Sequence, residues 1–293
     1  MGRLIRYMAT RWIPTTLYLH LVYWWRFGKP ANVRSPATLN EKLLWKKLYG
    51  YAPLHTTITD KYAVREWVAG QIGEDHLIPL IAVFEDVDDV DFRRLPDPFI
   101  IKVSHGSGQN VIIQDKHFID ESQLKRLLRG WMKENHWHLS KEPQYKNIKP
   151  RLIVEKLLTD ADGHIPMDFK FHCFHGQVEM IQVDIDRFGD HRRNFYDADW
   201  NLLPFTWSAW DRHGPIWPNG PAVEKPARLN EMLILARTLA TEFDYVRVDL
   251  FNCRDKVYFG ELTLHHGGGW ERFDPPSYDL FFGGKLDLKR NAE

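Results

Sequence analysis

Asp249 and Glu261 sit in the stretch Y-V-R-V-D-L-F-N-C-R-D-K-V-Y-F-G-E-L-T, from Tyr245 to Thr263. β-Branched and aromatic residues dominate both arms, and Asn252 to Lys256 supplies turn chemistry, which predicts a hairpin. Alternation puts Arg247 and Asp249 on one side and Val246, Val248 and Leu250 on the other. On the second arm, Phe259, Glu261 and Thr263 share a side. A three-residue loop of Arg254, Asp255 and Lys256 would set Asp249 opposite Glu261 on the same face, whereas a four-residue loop would put them on opposite faces. Paired carboxylates repel unless a cation lies between them, and their hard oxygens suit magnesium bridging a nucleotide's phosphates. The alternative is an ordinary solvated hairpin.

A second stretch, F-I-I-K-V-S-H-G-S-G-Q-N-V-I-I-Q from Phe99 to Gln114, reads as a strand carrying Lys102, a flexible loop and a returning strand. A lysine among strand apolars points to an edge or a partner. The loop glycines allow backbone N–H groups to approach an anion. The Gly-Lys-Ser/Thr ending of a Walker A loop is missing, and His105 reads as a loop residue. Arg187, Arg192, Arg193 and Asn194 form a small cationic cluster, able to hold phosphate or simply solvated.

These residues need elements to hold them. Thr38-x-x-Glu41 is a capping-box pattern opening a helix over Leu39–Tyr49, which Gly50 stops. Thr59 is expected to cap a second helix, Asp60 to Ala69. Leu77–Phe84 reads as a strand, Asp120–Asn135 as an amphipathic helix and Arg151–Leu158 as a buried strand. Met167–Asp186 reads as a hairpin around His175-Gly176, Trp200–Pro221 as a loop suited to a lid or substrate collar, and Glu224–Glu242 as the last long helix.

At 293 residues the chain can bury a substantial core. Lys+Arg and Asp+Glu are equal at 39 each, so no overall basic field argues for nucleic acid. The two cysteines, Cys173 and Cys253, lie far apart in expected strands, against a disulfide framework or cysteine zinc site and in keeping with a reducing cytoplasm. The N-terminal apolar stretch lacks a small-residue cleavage site. Trp12 to Phe27, rich in Leu, Tyr and Trp among Arg3, Arg6, Arg11 and Arg26, is too short to span a bilayer. It reads as helix packed on the body of the protein, with a peripheral place at the inner membrane as the alternative.

The order of these parts resembles the ATP-grasp superfamily, and more narrowly its TupA-like branch, linked to teichuronopeptide and other polysaccharide biosynthesis. The phrases that carry the likeness are T-L-N-E-K-L-L-W-K-K-L-Y, D-K-Y-A-V-R-E-W-V, F-I-I-K-V-S-H-G-S-G, D-F-K-F-H-C-F-H-G and F-G-E-L-T, together with V-E-K-L-L from Val154. It extends over roughly residues 20–285. The resemblance implies an α+β, ATP-grasp fold: a helical segment over 1–58, then two lobes, 59–154 and 155–293, with mainly antiparallel sheets clasping the nucleotide.

The same resemblance implies ATP and Mg²⁺ as cofactors and assigns residues to them. Lys61 and Lys102 would reach the phosphates, and the loop Ser104, Gly106, Ser107 and Gly108 would close over them. Glu155 and Lys156 would contact the adenine, with the backbone of Leu157 and Leu158 on its edge and Asp168 at the ribose. Arg187 and Arg193 would face the γ-phosphate, Asp249 and Glu261 would hold magnesium, and Arg247 would steady the acyl phosphate or acceptor. Thr263 stands where the superfamily usually has a metal-binding asparagine, so the second magnesium would be loosely held or completed by water, with His265 or His266 as poor substitutes.

The implied activity is an ATP-dependent carboxylate–amine ligase, joining a uronic-acid-type carboxylate to an amine through an acyl phosphate. An ATP-grasp kinase acting on a sugar hydroxyl and a non-catalytic ATP-binding assembly factor at the membrane are the alternatives.

Overall fold

The computed structural model describes residues 10, 12–187 and 189–288. Its helices are α1 (Thr15–Phe27), α2 (Leu39–Tyr49), α3 (Pro53–Thr59), α4 (Val64–Ile72), α5 (Glu121–Met132), α6 (Trp137–Ser140), α7 (Leu229–Ala240) and α8 (Ser277–Lys285). The chain forms two compact units: one is continuous, 52–166, and the other joins 1–51 to 167–293. This differs from the expected division. The boundary expected after residue 154 would cut a strand, and the N-terminal helices fold with the C-terminal part.

The continuous unit holds one antiparallel sheet of β1 (Leu80–Phe84), β2 (Phe99–Val103), β3 (Asn110–Ile113) and β4 (Leu152–Lys156), in the order β1-β4-β2-β3. Alternation along β2 buries Phe99, Ile101 and Val103 with Leu152 and Val154 against Leu124 and Leu128 of α5. That leaves Lys102 on the opposite face. Asp120 caps α5 by accepting from the Gln123 N–H at 3.0 Å. Thr59 ends a helix rather than starting one, because Pro53 fits the first turn of α3 and opens it earlier than expected.

In the other unit, β5 (Asp168–Phe174), β6 (Gln177–Ile185), β7 (Arg192–Tyr196), β11 (Tyr245–Cys253) and β12 (Lys256–Thr263) form an antiparallel sheet in the order β12-β11-β5-β6-β7. The intervening segment, expected as loop, contains the short strands β8 (Thr206–Ser208), β9 (Trp210–Asp211) and β10 (Gly214–Pro215), and β8 pairs with β13 (Arg272–Asp274). The face carrying Val246, Val248 and Leu250 is covered by α7, whose Met232, Ala236 and Leu239 are buried. Cys173 and Cys253 are both buried, and neither is in a disulfide.

The expected capping box forms on α2: the Glu41 N–H donates to the Thr38 hydroxyl, and the Glu41 carboxylate accepts from the Thr38 N–H. α2 then locks onto α8. The Asn40 N–H donates to Asp279 at 3.0 Å, and Lys42 Nζ donates to the carbonyls of Gly283 and Leu286 at 2.8 and 2.6 Å. Lysine at the carbonyl end of a helix satisfies orphan acceptors and complements its dipole.

At Gly283 the two segments approach so closely that a Cβ would lie 2.1 Å from the Ala37 carbonyl oxygen, whereas a Cβ on Gly284 would meet nothing within 4 Å. Gly283→Ala is therefore expected to cost about 1–3 kcal/mol in denaturant unfolding. Gly284→Ala is expected to be neutral or stabilising by up to about 1 kcal/mol. Equal effects would contradict the close approach.

Candidate active site

The hairpin β11–β12 turns through Arg254 and Asp255, both with positive φ, and Cys253 pairs with Lys256. This is a two-residue loop of the primed kind rather than either length expected. Left alone, that register would misalign the carboxylates. A bulge between Asp249 and Leu250, with Gly260 as the extra residue on β12, restores the pairing of Asp249 with Glu261. Only glycine fits there, since a Cβ would stand 2.9 Å from the Phe251 ring and 3.1 Å from the Asp249 carbonyl oxygen. The bulge also moves Phe259 opposite Leu250, on the apolar face rather than beside Glu261.

Asp249 and Glu261 thus share one face, and Arg247 draws them together. Its Nε and Nη2 donate to the two Asp249 oxygens at 2.7 Å each, and Nη2 also donates to Glu261 Oε1 at 2.8 Å. Burial opposes the charged guanidinium, but Asp249 and Glu261 outweigh it and hold the Arg247 pKa above its ordinary value. Burial pushes the Asp249 carboxyl up to about 6, despite Arg247 and Lys170. Both carboxylates reach one guanidinium nitrogen, and the Glu261 side chain is 43% exposed, so these hard oxygens fit a divalent cation. Thr263, paired with Arg247 across the hairpin, donates to Glu261 Oε1 at 3.4 Å.

No motif marks Lys170 in the sequence, although D-F-K-F-H-C-F alternates so that Asp168, Lys170 and His172 share a face. In the sheet Lys170 pairs with Asp249, and its buried Nζ meets Asp168 and, at 3.2 Å, Asp184. Arg187 also donates to Asp168, at 3.2 Å, so the carboxylate expected at the ribose is held by two cations. Arg187 itself is largely exposed.

Arg193 departs from expectation. Instead of standing open to a γ-phosphate, it is buried, with Nε donating to Asp184 at 2.8 Å and Nη1 donating to Glu271 at 2.9 Å and the Trp207 carbonyl at 3.1 Å. Its guanidinium stacks 4.3 Å from the Trp217 ring centre. The register explains this: Arg193 pairs with Asp184 of β6, which puts it on the face that carries Lys170 and Asp249, opposite the one covered by α7.

His266 is likewise no metal ligand as placed. Its Nδ1 accepts from Arg247 Nη1 and its Nε2 donates to Glu271, both at 2.9 Å, which a neutral ring satisfies. Burial lowers the His266 pKa to about 4 against the pull of Glu271. Burial would raise Glu271, but His266 and Arg193 bring it down to about 2.

The sign of the resulting pH dependence follows directly. Between pH 6.5 and 4 the unfolded imidazole takes a proton that the folded ring refuses, so stability falls as pH falls through that window. His266→Gln is expected to reduce the slope of unfolding free energy against pH there by about 1.4 kcal/mol per unit. An unchanged slope would refute the neutral ring.

In the continuous unit, the Glu155 carboxylate is clamped by Lys102 Nζ and Arg65 Nη1, each at 2.7 Å. The residue expected to touch adenine therefore anchors the strand lysine, while Lys156 is exposed at the end of β4. Leu157 is buried with its N–H 3.5 Å from the Pro98 carbonyl, and Leu158 is half-buried. Lys61 Nζ donates to the Gly106 carbonyl at 2.5 Å.

The glycine loop is less open than expected. Ser104 is buried, donating to the Lys149 carbonyl and accepting from the Arg151 N–H, both at 3.1 Å. His105 is buried against the Trp131 carbonyl at 3.2 Å, and a Cβ on Gly106 would collide with Gln109. Only Ser107 and Gly108 are exposed at the tip.

Among solved structures, the chain is similar to D-alanine–D-alanine ligase from Bacillus anthracis, at 17% identity and a TM-score of 0.42 over 71% of this chain and 57% of that one. It is also similar to D-alanine–D-alanine ligase from Helicobacter pylori, at 13% and 0.42 over 80% and 59%. The ATP-grasp ligase PsnB complexed with minimal precursor, Mg and ADP is similar at 14% and 0.39 over 77% and 58%. The chain thus spans less than two thirds of each of these proteins. No curated protein matches it. A family profile described as TupA-like ATPgrasp matches residues 41–287. The chain belongs to the TupA-like ATP-grasp family, and with it to the ATP-grasp superfamily.

Proposed function

We propose that this protein is an ATP-dependent ligase that joins a carboxylate to an amine, on a uronic-acid-type sugar or glycan destined for cell-surface polysaccharide. The observation that carries this reading is the shared face of Asp249 and Glu261, drawn together on Arg247. A carboxylate attacking the γ-phosphate brings two anions together, so fixed cations must neutralise both. Asp249 and Glu261 would hold magnesium, which supplies charge neutralisation when bound, with Thr263 or water completing the sphere. Arg247, released from its carboxylates, would then orient the acceptor carboxylate. Lys170 and Arg187 are suited to the γ-phosphate, whereas Arg193 acts through Asp184 and Glu271 as a positioning residue. Within the continuous unit, Lys61, Lys102 and the Ser107–Gly108 tip are by themselves suited to phosphate, and Lys156 to Leu158 to a nucleobase.

The phosphoryl group would pass to the acceptor carboxylate, giving ADP and an acyl phosphate. Attack by the amine would then expel phosphate and form the amide. Incubating the protein with magnesium-ATP, a panel of uronic acids and hydroxylamine tests this reading. Hydroxamate formation with stoichiometric ADP is expected. A phosphorylated sugar that survives hydroxylamine would establish a kinase instead.

A further inference from the structure

Helix α1 carries apolar residues on two faces. Tyr18, Leu19 and Tyr23 are buried and pack with Leu44 of α2. On the opposite side, Leu17, Leu21, Trp24 and Trp25 follow helical spacing and lie open, Leu21 by 50%, Trp24 by 58% and Trp25 by 70%. Trp12, just before the helix, is 85% exposed. A helix apolar all round needs a second apolar environment. Among the described residues, no helix is long and apolar enough to cross a membrane, so a spanning role is not what this pattern serves.

Charge identifies the environment. Although the whole chain is neutral, Arg3, Arg6, Arg11, Arg26, Lys29 and Arg34 precede the first acidic residue, Glu41. Lys29 and Arg34 are exposed just beyond the helix. Arg26 lies 4.8 Å from the ring centre of Trp25, placing a cation beside the exposed indole. Tryptophans next to arginines, with no carboxylate nearby in sequence, match the boundary between acyl chains and anionic headgroups.

We propose that α1 docks this protein on the surface of an anionic bilayer, with Leu17, Leu21, Trp24 and Trp25 entering the interface and Lys29 and Arg34 meeting headgroups. The assignment is independent of the ligase reading, because it concerns neither the hairpin nor the lysine strand.

Flotation of the full chain with vesicles of phosphatidylcholine alone, or containing phosphatidylglycerol, tests it. About tenfold or greater enrichment on the anionic vesicles is expected, weakening as salt screens the charges. Leu21→Glu combined with Trp24→Glu is expected to abolish binding with an unchanged far-ultraviolet circular dichroism spectrum. Lys29→Glu with Arg34→Glu, which spares the apolar row, is expected to remove the preference for anionic lipid. Equal recovery on both vesicle types, or no flotation, would overturn the proposal. So would concentration-dependent dimerisation lost in the Leu21→Glu, Trp24→Glu variant with no lipid binding, because the face would then serve a second copy.

Discussion

Arg193→Met is expected to destabilise the protein by about 3–5 kcal/mol, the cost of leaving buried carboxylates without their cation. Two carboxylates depend on this guanidinium. Burial would raise the Asp184 pKa, but Arg193 and Lys170 hold it well below the usual carboxylate range, and Glu271 is held down in part by Arg193. A methionine of similar length would fill the space above Trp217 but supply neither hydrogen bonds nor charge. Against a typical total stability of about 5–15 kcal/mol, such a loss brings the protein close to unfolding. Arg193→Lys should lose less, since charge is kept while the fork that reaches Asp184, Glu271 and the Trp207 carbonyl is not. Urea titrations of the three proteins measure this. The methionine variant's deficit should also shrink as pH falls, because protonated carboxyls no longer need a cation. A deficit under about 1 kcal/mol would mean the network contributes little.

Glu261→Gln is expected to lower ATP turnover roughly a hundredfold or more, on the scale of losing one preorganised charge at a reacting phosphate. The substitution keeps the shape and one oxygen acceptor but removes the negative charge that, in the proposed function, would hold a cation together with Asp249. Because the side chain is 43% exposed, stability should change by less than about 1 kcal/mol, which separates loss of chemistry from loss of fold. The midpoint of a magnesium titration should move to higher concentration. Unchanged turnover and magnesium dependence would reduce the acidic pair to a structural counterion for Arg247.

Much of this architecture was legible because alternation and capping are local. The capping box at Thr38 and Glu41, the buried residues of β2, and the shared side of Arg247 and Asp249 each follow from side-chain type at fixed spacing. The register of the acidic hairpin was harder. Its turn is shorter than either length considered, and a bulge at Gly260 corrects it, so the expected pairing arises by an unexpected route. Bulges depend on tertiary fit more than on composition, which is also why alternation alone puts Phe259 on the wrong side.

Polar residues in glycine-rich or arginine-rich phrases were the least legible. Ser104 and Arg193 look free for phosphate in the sequence, yet their hydrogen bonds are consumed by partners 45 and 78 residues away. Lys170 shows the reverse: plain in the alternation of its strand, it becomes informative only when the sheet order sets it beside Asp249.

The continuous unit, 52–166, interrupts a body whose other half is still to come. At a synthesis rate of ~5–20 residues per second, α2 emerges roughly ten seconds or more before α8, the helix that receives its Asn40 and Lys42. During that interval the inserted stretch can bury its own core, while α1 and α2 have only each other, through Tyr18, Leu19, Tyr23 and Leu44. Until α8 is made, the side of α2 that receives it is therefore a part of the nascent chain open to aggregation.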